Sequence, residues 1–172
     1  MDITERAKKI RLLLLDVDGV LTDGRIIIGS YGDEIKNFDV KDGLGVVLLR
    51  KAGLRSAIIT ARSSRIVKIR ARHLGIGKIY ENHYKIKSLR NIKIRFRVKE
   101  EEICFVGDDL IDISILKRVG FAVTVPNAIK ETKDAAHYIT QNPGGQGAVR
   151  EVCEIILKAQ GKWEKVTKRY FE

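Results

Sequence analysis

Four consecutive leucines, Leu12 to Leu15, follow Ile10 and Arg11 and form the first uninterrupted apolar run of the chain. A run that is apolar at successive positions has no polar face, so it predicts a strand covered on both sides, as in a parallel sheet. Comparable runs recur within Leu54–Thr60, Ile103–Val106 and Phe121–Val125, with shorter ones at Lys78–Tyr80 and His137–Ile139. Between them the apolar positions change to helical spacing. Val46, Val47, Leu48 and Leu49 predict a helix over about 43–52, N-capped by Asp42 and followed by Gly53. Ile66, Ile69 and Leu74 predict one over about 64–74, capped by Ser63 or Ser64 and closed by Gly75. Ile86, Leu89 and Ile92 predict a basic helix over about 85–96, and further helices fall at about 111–118, 128–134 and 148–159. Strands alternating with helices through short connections imply βαβ units and a mainly parallel sheet.

One stretch breaks this rhythm. Residues 24–39 read as two short β-type runs around Gly29-Ser30-Tyr31-Gly32, which predicts a hairpin projecting as a flap or an oligomer contact. No linker or repeat interrupts the chain. The expectation is one α/β domain over residues 1–172: a Rossmann-like parallel sheet flanked by helices, with a hairpin flap and no separate cap domain. Residues 1–9 read as a short polar lead and about 160–172 as a polar tail carrying Trp163, Tyr170 and Phe171.

Composition narrows the function classes. No apolar run reaches membrane-spanning length and the N-terminus lacks a signal-like apolar region, so a cytoplasmic protein with no membrane partner is expected. Cys104 and Cys153 lie far apart and match no metal or redox spacing, so both are expected as buried free thiols. The net charge of +11 suits an anionic partner. The basic residues are dispersed without interleaved aromatics, which argues against nucleic acid.

The polar residues at strand ends carry the candidate chemistry. Asp16 and Asp18 follow the first run, Thr60 ends another, lysines 85 and 87 follow a short one, and Asp108 and Asp109 follow Val106. In a parallel sheet these ends share one edge, where ligands bind. Carboxylates, a hydroxyl and an ammonium together suit Mg²⁺ and a phosphoryl group, with a carboxylate able to act as nucleophile. The acidic stretch is not a calcium loop, because Val20 and Ile27 stand where ligands are required. Neither a P-loop nor a dinucleotide fingerprint is present.

Taken in order, Asp16-Val17-Asp18-Gly19-Val20-Leu21-Thr22, Ile58-Ile59-Thr60, a lysine near 85 and Val106-Gly107-Asp108-Asp109 resemble the haloacid dehalogenase superfamily of phosphotransferases. Thr22-Asp23-Gly24, Val40 to Gly45 and Gly144 to Cys153 resemble its small, capless branch of sugar-acid phosphate phosphatases. The resemblance implies Asp16 as nucleophile, Asp18 as general acid and base, and Thr60 and Lys85 as groups that orient phosphate. It implies Mg²⁺ held by Asp16, the backbone carbonyl of Asp18, and Asp108, with Asp109 bound directly or through water. It further implies a homotetramer whose hairpins assemble together. The implied reaction is hydrolysis of 3-deoxy-D-manno-octulosonate 8-phosphate for lipopolysaccharide precursor synthesis, or of a nine-carbon sialic-type acid 9-phosphate. A non-catalytic nucleic-acid or protein-binding module on the same scaffold is the reading of another class.

The chain departs from the family pattern at several points. Ala61 stands where glycine is usual, Glu81-Asn82 replace Gln-Gly, and Gln146 replaces a frequent arginine. Arg62 is the candidate for a substrate carboxylate, which suits a guanidinium fork. Asp42, Gly43 and Lys87 are further candidate substrate contacts, and Lys87 is also the rival to Lys85 as the motif lysine.

Overall fold

The computed structural model describes residues 2–172. Six strands form one sheet in the order β5-β4-β1-β6-β7-β8, every neighbouring pair parallel. They are β1 (Leu12–Leu15), β4 (Arg55–Thr60), β5 (Ile79–Glu81), β6 (Ile103–Val106), β7 (Phe121–Thr124) and β8 (Tyr138–Ile139). All four leucines of β1 are fully buried, as the unbroken run requires. Leu13 and Leu15 pack on one face against α1 (Ile3–Lys8), α2 (Val40–Lys51), α3 (Arg65–Leu74) and α7 (Ala148–Ala159). Leu12 and Leu14 pack on the other against α4 (Ile86–Phe96) and α5 (Ile113–Leu116). The alternation of side chains along a strand produces both cores from one run.

Strand order reverses on either side of β1, so the crevice between β1 and β6 is the topological switch point where such sheets bind ligands. Leu15 pairs with Val106, which brings Asp16 and Gly107 level at the carboxyl edge. Cys104 and Cys153 are buried free thiols, as expected. Among the described residues no helix is long and apolar enough to cross a membrane.

Two local expectations change. Asp42 does not cap α2: the helix starts at Val40, and Asp39 accepts from the Lys41 and Asp42 N–H groups. The polar tail folds into α8 (Trp163–Thr167), because Trp163 and Val166, three residues apart, both pack onto the core. The hairpin is present as β2 (Ile27–Ile28) and β3 (Glu34–Ile35), antiparallel and short, and a further α-helix, α6, spans Lys130–Ala135. Ile28 and Tyr31 of the hairpin region are 71% and 99% exposed, so this flap buries little of its own apolar surface.

Candidate active site

The chain leaves β1 at Asp16, whose N–H donates to the Val106 carbonyl of β6 at 3.0 Å. The Asp16 side chain is buried. Its Oδ1 accepts from the Val17 N–H at 2.7 Å and its Oδ2 lies 2.7 Å from Lys85 Nζ. The turn that follows is tied by buried Thr22, whose hydroxyl accepts from the Gly24 N–H at 3.2 Å. Gly19 sits at φ +86°, and a Cβ there would lie 1.9 Å from Asp108 Oδ2. Only glycine therefore lets the turn after β1 touch the acidic turn after β6. The loop before α7 closes on the same turn, with Gly145 N–H donating to the Val20 carbonyl at 2.9 Å.

The acidic turn after β6 is organised by Asp112. Its Oδ2 accepts from the N–H groups of Asp108 at 3.0 Å and Asp109 at 3.2 Å. Its Oδ1 accepts from Lys85 Nζ at 2.5 Å. Lys85 precedes α4 and is fully buried, its ammonium held between Asp16 and Asp112. Burial opposes the charge on Lys85, but the two carboxylates outweigh it and hold its pKa above the ordinary lysine value.

Asp16, Asp108 and Asp112 converge, each offering an oxygen within 4.8 Å of the others. Three carboxylates face one ammonium, a local deficit of positive charge. Burial first, then the Asp112 charge, push the Asp16 carboxyl upward, against the pull of Lys85. The same two causes push Asp108 up to about 7. Asp108 Oδ1 is buried with no hydrogen-bond partner among the described residues. An orphaned carboxylate oxygen in a hard-oxygen cluster short of positive charge fits a divalent cation such as Mg²⁺. Asp112 has both oxygens engaged by Lys85 and backbone amides, so its place is to hold the other two rather than to ligate. The Asp109 carboxylate does not join this cluster; its Oδ1 accepts from the Leu110 N–H at 2.7 Å.

Above the cluster lies a cavity of about 230 Å³ lined in part by Asp16, Asp18, Thr60, Arg62, Asp108 and Asp109. Thr60 ends β4 with its hydroxyl accepting from the Arg62 N–H at 3.3 Å. The flap reaches this cavity's acid: Lys36 Nζ, its side chain 1% exposed, pairs with Asp18 Oδ1 and lies 3.1 Å from Glu34 Oε1. Glu34 in turn accepts from the Ser64 hydroxyl at 2.9 Å and lies 3.5 Å from Arg62. Ser64 begins α3 without capping it, because its hydroxyl is spent on Glu34.

Thus the structure brings Asp16, Asp18, Thr60, Lys85, Arg62, Asp108 and Asp109 to one strand edge. It takes Asp42, Gly43 and Lys87, expected as substrate contacts, elsewhere. Asp42 is buried at the junction of α2 and α7, accepting from Arg150 N–H at 2.7 Å and Gly147 N–H at 3.4 Å. Gly43 packs under Arg70, where a Cβ would lie 2.5 Å from the guanidinium. Lys87 is exposed with its ammonium over the Tyr84 ring at 4.9 Å, which leaves Lys85 as the lysine at the site. Sequence reasoning missed Asp112, Lys36 and Glu34. The signals existed: Asp112 stands three residues after Asp109, at capping-box spacing, and Glu34 and Lys36 share one face of an alternating strand.

A family description of haloacid dehalogenase-like hydrolases matches residues 56–152. The chain is 41% identical over 167 residues to 3-deoxy-D-manno-octulosonate 8-phosphate phosphatase of Yersinia pestis, covering 96% of this chain and 89% of that one. Its fold matches the crystal structure of the corresponding enzyme from Moraxella catarrhalis, in complex with magnesium ion, phosphate ion and a KDO molecule. That match has a TM-score of 0.95 at 42% identity and covers 98% of this chain and 97% of that one. The cobalt-bound form of the deoxy-D-mannose-octulosonate 8-phosphate phosphatase from Haemophilus influenzae matches with a TM-score of 0.90 at 32% identity, covering 96% and 98%.

Proposed function

Because the chain belongs to the haloacid dehalogenase-like hydrolases, we propose that it is a Mg²⁺-dependent phosphatase of 3-deoxy-D-manno-octulosonate 8-phosphate, with residues 1–172 acting as one catalytic domain. The observation that carries this reading is the pairing of buried Asp16 with half-buried Asp108, whose orphaned oxygen faces a cavity, in a chain so close to phosphatases of that substrate.

In the first half-reaction a carboxylate oxygen of Asp16 attacks phosphorus. The bond from phosphorus to the sugar oxygen breaks, and Asp18 gives its proton to that oxygen. The phosphoryl group now sits on Asp16 as an acyl phosphate. In the second half Asp18 takes a proton from water, whose oxygen attacks the same phosphorus. The Asp16–phosphorus bond breaks and inorganic phosphate leaves, with both aspartates as they began. Lys85 holds Asp16 in place and offsets its charge, Thr60 donates to the phosphoryl oxygens, and Arg62 takes the substrate carboxylate as a fork. Asp16, Asp108 and the Asp18 carbonyl, with Asp109 through water, would hold Mg²⁺, which would supply electrostatic stabilisation of the charge developing on phosphorus.

The active form is a cytoplasmic homotetramer in which flaps pack together. The apolar surface on the flap, with Ile26 52% and Ile28 71% exposed, supports that assembly. Phosphate release from a panel of sugar-acid phosphates, including a nine-carbon 9-phosphate, tests the reading with and without Mg²⁺. The eight-carbon ester is expected to turn over fastest, only with metal, and on the order of 10⁴-fold more slowly or worse in Asp16→Asn. Metal-independent turnover, or an active Asp16→Asn variant, overturns the mechanism.

A further inference from the structure

The flap is tied to the site through one buried cation. Lys36 leaves the end of β3 and inserts an ammonium whose side chain is 1% exposed, although the flap that carries it is largely open to solvent. A lysine is driven into such a position only when paired, because an unpaired ammonium loses its hydration without return. Here two carboxylates take it: Asp18 through Oδ1, and Glu34 through Oε1 at 3.1 Å. Glu34 is itself fixed from α3 by the Ser64 hydroxyl at 2.9 Å. A chain of contacts thus runs from the start of α3 through the flap to the carboxylate that moves protons.

From this geometry we infer that Lys36 is the positioning residue of Asp18. It occupies Oδ1 and so fixes the carboxyl plane, leaving Oδ2 to carry the proton to the departing sugar oxygen. Among the described residues Asp18 Oδ2 accepts no hydrogen bond, whereas Oδ1 is committed. The Asp18 side chain has no anchor in its own turn comparable to the Val17 N–H that holds Asp16, so the anchor comes from the flap. The flap then does more than cover the site: its docking completes the acid. Glu34 acts one step further out, holding Lys36 in register. This inference rests on the phosphatase reading and assigns to Lys36 no contact with substrate.

The test uses leaving-group dependence, which a merely structural role does not move. An alkyl ester needs its departing oxygen protonated, whereas p-nitrophenolate leaves without help. Steady-state kinetics of the full-length wild type, Lys36→Met, Lys36→Arg and Glu34→Gln are compared on 3-deoxy-D-manno-octulosonate 8-phosphate and on p-nitrophenyl phosphate. Lys36→Met is expected to lower kcat/KM, which reports the first half-reaction alone, on the order of 10²-fold on the alkyl ester and to leave kcat/KM on the aryl ester within a few-fold; water activation by Asp18 is common to both esters and enters only kcat. Lys36→Arg restores most of the loss, and Glu34→Gln shows a smaller loss confined to the alkyl ester. Equal losses of kcat/KM on both esters, a loss on the alkyl ester carried by KM alone, or no effect overturn the assignment. A Lys36→Met chain that fails to fold leaves Lys36→Arg and Glu34→Gln to decide it by the same contrast. If the wild type hydrolyses the aryl ester but no sugar-acid phosphate, the substrate reading fails, and glycerol 3-phosphate serves as the alkyl ester for the Lys36 comparison. Turnover of no ester at all overturns both.

Discussion

Asp108 at the end of β6 and Asp42 at the junction of α2 and α7 are both aspartates that burial drives well above the usual carboxylate range, to about 7 and about 6. Their surroundings differ in one respect. Asp42 spends its two oxygens on the Arg150 and Gly147 N–H groups, so it fastens the start of α7 to α2 and has nothing left to offer a ligand. Asp108 leaves Oδ1 without a partner and faces a cavity. A raised carboxyl pKa therefore marks burial in both regions and a site in only one. The unspent lone pair, not the shift, distinguishes them.

The comparison can be broken most forcefully at Asp108. Replacing it with asparagine is expected to cost on the order of 10²-fold or more in kcat at fixed Mg²⁺, since bound metal supplies several kcal/mol of stabilisation. A Mg²⁺ titration checks this, and unchanged activity removes Asp108 from the ligand set. Asp112 sharpens the contrast, because it is as fully engaged as Asp42 yet belongs to the site. Asp112→Asn is expected to weaken Mg²⁺ dependence or activity about 10–100-fold, by loosening the Asp108 turn and Lys85. An effect on thermal stability alone would place it with Asp42.

The smallest effect is at Asp42 itself, where Asp42→Asn should leave kcat within about threefold. Its folded pKa is raised, so the folded state binds the proton more tightly than the unfolded chain, and protonation stabilises as pH falls through about 6. Between pH 7 and pH 5, wild type should gain about 1 kcal/mol relative to Asp42→Asn, read by urea denaturation. A constant gap, or a gap moving the other way, contradicts the assignment.

The β1, β6 and β7 strands were legible because doubly covered strands need no polar positions, so their runs are unbroken. The acids at the carboxyl edge were legible for a related reason: Asp16 and Asp108 follow such runs abruptly. The cap of α2 was not. Asp39 and Asp42 both stand before helix-compatible residues, and the glycine after Asp42 suggested the later start. The substrate contacts at Asp42, Gly43 and Lys87 also misled, because sequence proximity to family-like stretches says nothing about which way a side chain faces. Lys36 and Asp112 act through contacts with Asp18 and Lys85 respectively, 18 and 27 residues away, and such pairings are set by tertiary packing.

The order of the strands has a kinetic consequence. β1 and β6 lie side by side, yet three crossovers, through α2 to β4, through α3 to β5 and through α4 to β6, separate them along the chain. A nascent or truncated chain ending before Ile103 holds Asp16 and Lys85 but neither Asp108 nor Asp112. Closing so long a loop precedes any reward from the parallel pairing, which makes the β1–β6 seam a slow and late event of folding. The capacity to bind the cation then reports that the two ends of this long loop have met, since Asp16 and Asp108 come together only across the β1–β6 seam.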